Sequence, residues 1–126
     1  MSALHTELTD TRWQSFSLVE QLANVGSEVE RAIKWSQKGQ TDLCTNAVYR
    51  GLELLDLTIA DPRHRPLKEL TRLREALLDY FVGPNEFGSS DLAWHRYFGA
   101  FGMAAALHRE RARPGGMLET ARPGEE

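Results

Sequence analysis

The sequence predicts an all-α fold: an up-down-up-down four-helix bundle followed by a disordered C-terminal tail. Three observations support this prediction. Apolar residues recur at spacings of three and four, the period that places side chains on one side of a helix. No stretch alternates apolar and polar residues as a half-buried strand does. Glycines, prolines and capping residues divide the chain into four segments, and the short connections between them favour antiparallel neighbours.

Length and composition indicate one globular domain. The chain has 126 residues, of which 41% are hydrophobic and 26% charged, close to the average for soluble globular proteins. A domain of this size removes roughly two-thirds of its unfolded surface from water, so it needs no metal or disulfide to fold. We expect an N-terminal arm at residues 1–10, the bundle at residues 11–111, and the disordered tail at residues 112–126, where no periodicity remains.

The first predicted helix covers residues 11–38. Thr9 or Asp10 can cap its start, because a short side-chain oxygen accepts hydrogen bonds from free backbone N–H groups. Gly39 ends it, since glycine readily adopts the left-handed conformation that closes many helices. Its inward side is predicted to carry Leu18, Leu22, Val25, Val29, Ala32 and Ile33.

Prolines separate the second and third predicted helices. The second begins at Thr41 and ends at Asp61, because Pro62 disfavours helical geometry in the residue before it. The third begins at Pro66, whose missing N–H is tolerated in a first helical turn. The predicted inward residues are Cys44, Val48, Leu52, Leu55 and Ile59 in the second helix, and Leu67, Leu70, Leu73, Leu77 and Phe81 in the third.

The fourth predicted helix follows a break at residues 83–85 and starts from capping residues at 89–91. It runs toward residues 108–111. Gly99, Gly102 and the alanines that follow predict a close approach of its backbone to a neighbouring helix. Its predicted inward residues are Trp94, Phe98, Phe101 and Ala105.

This fourth helix carries more aromatic surface than one core needs. Trp94, Tyr97, Phe98 and Phe101 cover more than half of its circumference. Exposed aromatic surface is costly, and two-fold pairing is the commonest way to bury it. We therefore predict self-association through Trp94, Tyr97 and Phe101, most simply as a homodimer. Alternatively, the N-terminal arm or the C-terminal tail covers this surface.

A basic face is predicted on the third helix. Arg65, Lys68 and Arg72 are spaced by three and four residues, which places them on one side, opposite the leucines. These cations suit phosphate or an acidic partner; the alternative is an ordinary solvated face. The net charge of -3 and the scarcity of aromatic residues beside these cations do not favour nucleic acid as the partner.

The connection between the third and fourth helices is a second candidate contact site. Tyr80, Asn85 and Glu86 bring a hydroxyl, an amide and a carboxylate to one end of the bundle. A connection that only reverses the chain needs little beyond glycine and a capping residue. In the alternative interpretation, Tyr80 completes the core and Asn85 makes a turn hydrogen bond with its own backbone.

No catalytic residue, metal site or cofactor site is predicted. The four histidines lack the spacing of helical metal motifs, and there is no glycine-rich phosphate loop. The single cysteine, Cys44, excludes an internal disulfide and fits a reducing compartment. No apolar segment is long enough to cross a bilayer, so we expect no membrane association and a cytoplasmic location.

Several helix strings resemble those of the HEPN superfamily, which consists of small prokaryotic helical bundles. They are ERAIKW at 30–35 with KGQ at 38–40, RGLELLD at 50–56, and LKEL at 67–70 with LRE at 73–75, and the resemblance covers roughly residues 18–107. Catalytically active HEPN members carry an arginine four to six residues before a histidine, a pair that cleaves RNA without a metal. No histidine of this chain has an arginine at that distance. The resemblance therefore implies a non-catalytic relative, with a nucleotidyltransferase as its usual partner.

We predict a non-enzymatic helical-bundle protein that acts through protein association, either as a homo-oligomer or as the small subunit of a complex. Two alternatives stay open. One is an HEPN-type component of a toxin-antitoxin or nucleotidyltransferase system that acts on nucleic acid. The other is a bundle that binds a small ligand.

Overall fold

The structure, a computed structural model, describes residues 10–64 and 67–112. The predicted arm and tail therefore lie almost entirely outside the described residues. The described part contains five α-helices and no strand, which confirms the all-α prediction. The helices are α1 (Asp10–Gln14), α2 (Leu18–Gln37), α3 (Thr41–Ala60), α4 (Lys68–Phe81) and α5 (Asp91–Ala112), with a short 3₁₀ turn at Pro62–His64.

The prediction of one continuous helix over residues 11–38 is wrong, because a capping box interrupts it. Ser17 Oγ accepts a hydrogen bond from the Glu20 backbone N–H at 3.2 Å, and Glu20 Oε1 accepts one from the Ser17 N–H at 2.9 Å. This reciprocal pair satisfies two N–H groups at the start of a helix, so α2 begins afresh at Leu18. The preceding helix α1 is separate and carries Trp13 into the core.

The core lies around α2, which packs along both α3 and α5, while α3 also packs against α4. Most predicted inward residues are buried. Leu67 is an exception: it lies just before α4 and is exposed, because the helix starts one residue later. The buried apolar side chains include Leu22, Val25, Val29, Ile33, Val48, Leu52, Leu55, Leu70, Leu73, Leu77, Trp94 and Phe98.

Helices α2 and α5 approach each other closely at Gly26. A β-carbon placed on Gly26 would lie 2.7 Å from Cβ of Phe98, closer than real carbon atoms approach. The glycine therefore allows Phe98 to sit directly on the backbone of α2. Gly99 and Gly102, in contrast, would meet no atom within 4 Å. The close contact that the sequence predicts for glycines of α5 is instead made by a glycine of α2.

Two tyrosine hydroxyls join α4 to α5. Tyr80 donates a hydrogen bond to the carboxylate of Asp91, and Tyr97 donates one to Glu69 Oε2 at 3.2 Å. Burial, reinforced by the neighbouring carboxylates, raises the pKa of both tyrosines to about 12. Asp91 also accepts a hydrogen bond from Gln37 Nε2 at 3.1 Å. The first residue of α5 is thus bonded to the last residue of α2 and to α4.

We expect the Gly26→Ala substitution to lower the free energy of unfolding by about 1–3 kcal/mol, because the added methyl group must displace Phe98 or the backbone of α2. Urea denaturation followed by circular dichroism measures this change. Gly51→Ala is the matched control. A β-carbon on Gly51 would lie 3.4 Å from Cβ of Glu28, an ordinary contact. Alanine favours a helix interior, so the control should keep or slightly raise stability. Equal stability of the two variants would contradict the close contact.

Candidate functional site

The middle of α5 exposes an uncharged surface. Residues 98–107 contain no charged side chain. Phe98 and Ala105 are buried on the core side, whereas Met103 is 70% exposed and Leu107 is 53% exposed. Monomeric proteins rarely expose contiguous apolar patches larger than about a few hundred Å². We call the exposed side the outer face of α5; it comprises Gly99, Ala100, Met103, Ala106 and Leu107.

Two opposite charges lie at the ends of the outer face. Successive helix residues are rotated by about 100°, so Met103 lies on the side of α5 opposite the buried residues. Arg96 lies seven residues before Met103 and Glu110 seven residues after it, both on the same side of the helix and both exposed. Each charge is about 10 Å from Met103 along the helix axis. Arg96 and Glu110 therefore flank the outer face at equal distances from Met103 and carry opposite charges.

The aromatic residues that the sequence analysis selected for self-association lie on or near the core side of α5. Trp94 is only 6% exposed and stacks on Phe98, with ring centroids 5.9 Å apart. Tyr97 and Phe101 are partly buried and pack edge to face at 5.3 Å. Most of the aromatic surface is thus packed within the chain. The outer face was not among the predicted contact residues, although the lack of charge over residues 98–107 was a signal for it.

The described residues include only part of the predicted basic face. Arg65 lies outside the described residues. Lys68 and Arg72 are exposed on α4, and neither forms an ion pair with another described residue. Lys68 lines a cavity of about 320 Å³ together with buried His64. That these cations bind a partner stays a prediction.

The connection between α4 and α5 uses most of its polar groups within the chain. Asn85 has a left-handed backbone with a φ of 59°; its amide accepts from the Ser89 N–H at 2.9 Å and donates to the Ser89 carbonyl at 3.0 Å. Asp79 accepts from the backbone N–H of Glu86 at 2.8 Å. Tyr80 is bonded to α5, as described above. The Glu86 side chain is exposed. Contact of Tyr80, Asn85 and Glu86 with a partner stays a prediction.

A buried carboxylate, Asp61, lies where α3 ends. Arg63 donates to it from Nη2 at 2.6 Å and from its backbone N–H at 3.0 Å, and Gln21 Nε2 donates at 3.3 Å. The hydrogen bonds from Arg63 hold the pKa of the Asp61 carboxyl well below its usual range, although burial acts in the opposite direction. A fully buried carboxylate is thus kept charged by an arginine that reaches it from the surface.

The partners of Asp61 connect the start of α2 to the 3₁₀ turn. Gln21 Nε2 also donates to the carbonyl of Trp13 at 2.9 Å, and Gln21 Oε1 lies 3.1 Å from Nε2 of His64. Arg63 Nη2 donates to the carbonyl of Phe16 at 2.8 Å. Asp61 was predicted only as a helix stop, because Gln21, which links it to α2, lies 40 residues away in the chain.

The described residues hold no group of three or more histidine, cysteine, aspartate or glutamate side chains that could bind a metal ion. Within the same ranges, no helix is both long and apolar enough to cross a membrane.

Comparisons of the chain with protein-family models, with curated proteins and with solved structures found no match. The resemblance to the HEPN superfamily therefore stays a prediction.

We expect Asp61→Asn to lower the free energy of unfolding by about 2 kcal/mol at pH 7, because the charged hydrogen bonds to Arg63 are lost. The folded-state pKa of Asp61 lies below the unfolded value of about 3.9, so its stabilisation is present above that pH and is lost as the pH falls toward the folded-state pKa. Urea unfolding of both proteins between pH 7 and pH 2 should give a difference that shrinks below about pH 4.

Asp56→Asn is the control for this experiment. Asp56 is paired with Arg74 at 2.7 Å, but the pair is exposed, so its loss should cost about 0–1 kcal/mol. A stability difference for Asp61→Asn that stays constant down to pH 2 would contradict the proposed charge state.

Proposed function

We propose that this chain is a non-enzymatic helical bundle that acts through protein association, and that it pairs with a second copy of itself through the outer face of α5. The observation that carries the proposal is the arrangement of Arg96 and Glu110 at equal distances on either side of Met103. This pattern is complementary to itself. A two-fold interface requires a surface of this kind, because both copies contribute the same residues.

When two copies of α5 pair antiparallel about Met103, each residue of the outer face lies opposite a compatible residue of the other copy. Arg96 of one copy then faces Glu110 of the other, and the reverse pair forms by symmetry. Leu107 of one copy faces Gly99 of the other, where the missing side chain leaves room for it. The small residues on both sides let the helix backbones approach closely, so Met103 and Leu107 leave water. Parallel pairing would instead place like charges opposite each other.

The arrangement of the other helices supports this use of α5. We infer that α2 to α5 run up-down-up-down, as the short connections predict. Gln37 at the end of α2 bonds to Asp91 at the start of α5, which fits opposite directions for these helices. Glu69 near the start of α4 likewise bonds to Tyr97, whereas Tyr80 near its end bonds to Asp91. In this bundle α5 is an outer helix, and the described residues of the other helices leave its outer face exposed.

We expect the wild-type protein to form dimers at micromolar concentration and Met103→Asp to weaken dimerisation roughly a hundredfold, about 3 kcal/mol, since two methionines are lost and two carboxylates meet at the axis. Sedimentation equilibrium over a dilution series measures this. Phe87→Asp is the control, because Phe87 is similarly exposed but lies in the α4–α5 connection. A strictly monomeric wild type would refute the homodimer and favour a different protein partner, such as a nucleotidyltransferase.

Charge reversal distinguishes this antiparallel pairing from non-specific hydrophobic association through α5. Arg96→Glu and Glu110→Arg should each weaken the dimer several-fold, because like charges then face each other. The double variant restores opposite charges and should recover most of the wild-type affinity. A double variant weaker than both single variants would exclude the antiparallel arrangement.

A further inference from the structure

Besides Asp61, the structure buries the carboxylate of Glu28, which lies on α2. Glu28 is only 7% exposed, and it accepts hydrogen bonds from Arg31 Nη1 at 3.0 Å and from Arg50 Nε of α3 at 3.2 Å. Gly51 of α3 lies beside the Glu28 side chain. One buried negative charge is thus held between two arginines.

This arrangement leaves positive charge at the surface. A guanidinium has five N–H donors, and Arg31 uses one of them on Glu28. The Arg31 side chain is 58% exposed, and its Nη1 is bonded to the buried carboxylate of Glu28. Two cations and one anion also give the cluster a net positive charge. A fixed guanidinium is well suited to bind the paired oxygens of a carboxylate or phosphate.

A cavity of about 330 Å³ adjoins this cluster. Its polar lining comes from α1 and α2, and Trp13, Phe16 and Leu54 supply an apolar wall. This volume is at the lower end of the range for small-molecule sites, which combine apolar walls with a few fixed polar groups. The polar lining residues are Arg12, Asn24, Ser27, Glu28 and Arg31.

We infer that this cavity binds a small organic oxyanion, a phosphomonoester or a carboxylate that carries an apolar group. Arg31 binds the anionic head, and Arg12 also lines the cavity. The apolar group packs against Phe16 and Leu54. The site lies on α1, α2 and α3, so it is independent of the pairing surface on α5.

Isothermal titration calorimetry with three probes tests the site: phenyl phosphate, benzoate and inorganic phosphate. Phenyl phosphate or benzoate should bind, and the tighter of the two identifies the preferred head group. Inorganic phosphate should bind at least about tenfold more weakly than phenyl phosphate, because it cannot use the apolar wall. Inorganic phosphate binding as tightly as phenyl phosphate, or no binding by either aromatic probe, would overturn the inference.

Arg31→Gln should weaken binding of the tighter probe at least about tenfold, because a charged hydrogen bond to the anion is lost. Arg74→Gln is the matched control. It also removes one positive charge, but Arg74 lies on α4, where it is paired with Asp56 of α3. Equal losses for the two variants would indicate a general charge effect and refute the site.

A cavity-filling variant covers the case in which Arg31→Gln does not fold. Ser27 is exposed on α2 and lines the cavity, so Ser27→Phe fills the space without removing an ion pair. It should abolish binding while the helical circular dichroism spectrum stays unchanged. Wild-type affinity in Ser27→Phe would place the ligand elsewhere and refute the inference.

Discussion

The contact of Phe98 with the backbone of α2 at Gly26 determines how α5 lies on the bundle. A glycine at this position lets a large aromatic side chain approach the helix axis closely, and Trp94 stacks on the same ring. This contact fixes the rotation of α5 about its own axis. With Phe98 turned inward, Met103 is turned outward. The exposed apolar side that we propose as the dimer interface is therefore a consequence of packing on the opposite side of the same helix.

Two buried carboxylates, Asp61 and Glu28, connect other elements of the bundle through hydrogen bonds. A buried charge is unfavourable unless it is paired and hydrogen-bonded, and both Asp61 and Glu28 meet this condition through arginine. Arg63 satisfies Asp61 and also bonds to the carbonyl of Phe16, so this pair connects the α1–α2 corner to the end of α3. In the Glu28 cluster, Arg31 instead lines a cavity. The same chemistry thus has a structural role at one position and suits ligand binding at the other.

Helix periodicity is a local property, and it predicted most of the core correctly, including Val25, Leu55 and Leu73. The break before α2 was also visible locally, as serine three residues before glutamate, but the continuous apolar pattern masked it. The rotation of α5 could not be predicted from its own residues, because aromatic side chains cover most of its circumference. Gly26 of α2 determines that Phe98 is the one that packs against the α2 backbone. The Asp61 network and the Glu28 cavity depend on tertiary contacts that no local pattern contains.

Cysteine cross-linking tests the pairing of α5 with a second copy most directly. Packed helices lie about 8–10 Å apart, which brings α-carbons on facing sides within the roughly 4.4–6.8 Å that a disulfide requires. In a protein with Cys44→Ala, Met103→Cys at the proposed two-fold axis should form a covalent dimer under mild oxidation. Ala105→Cys on the buried side should not. Equal cross-linking at both positions, or none at residue 103, would contradict the pairing.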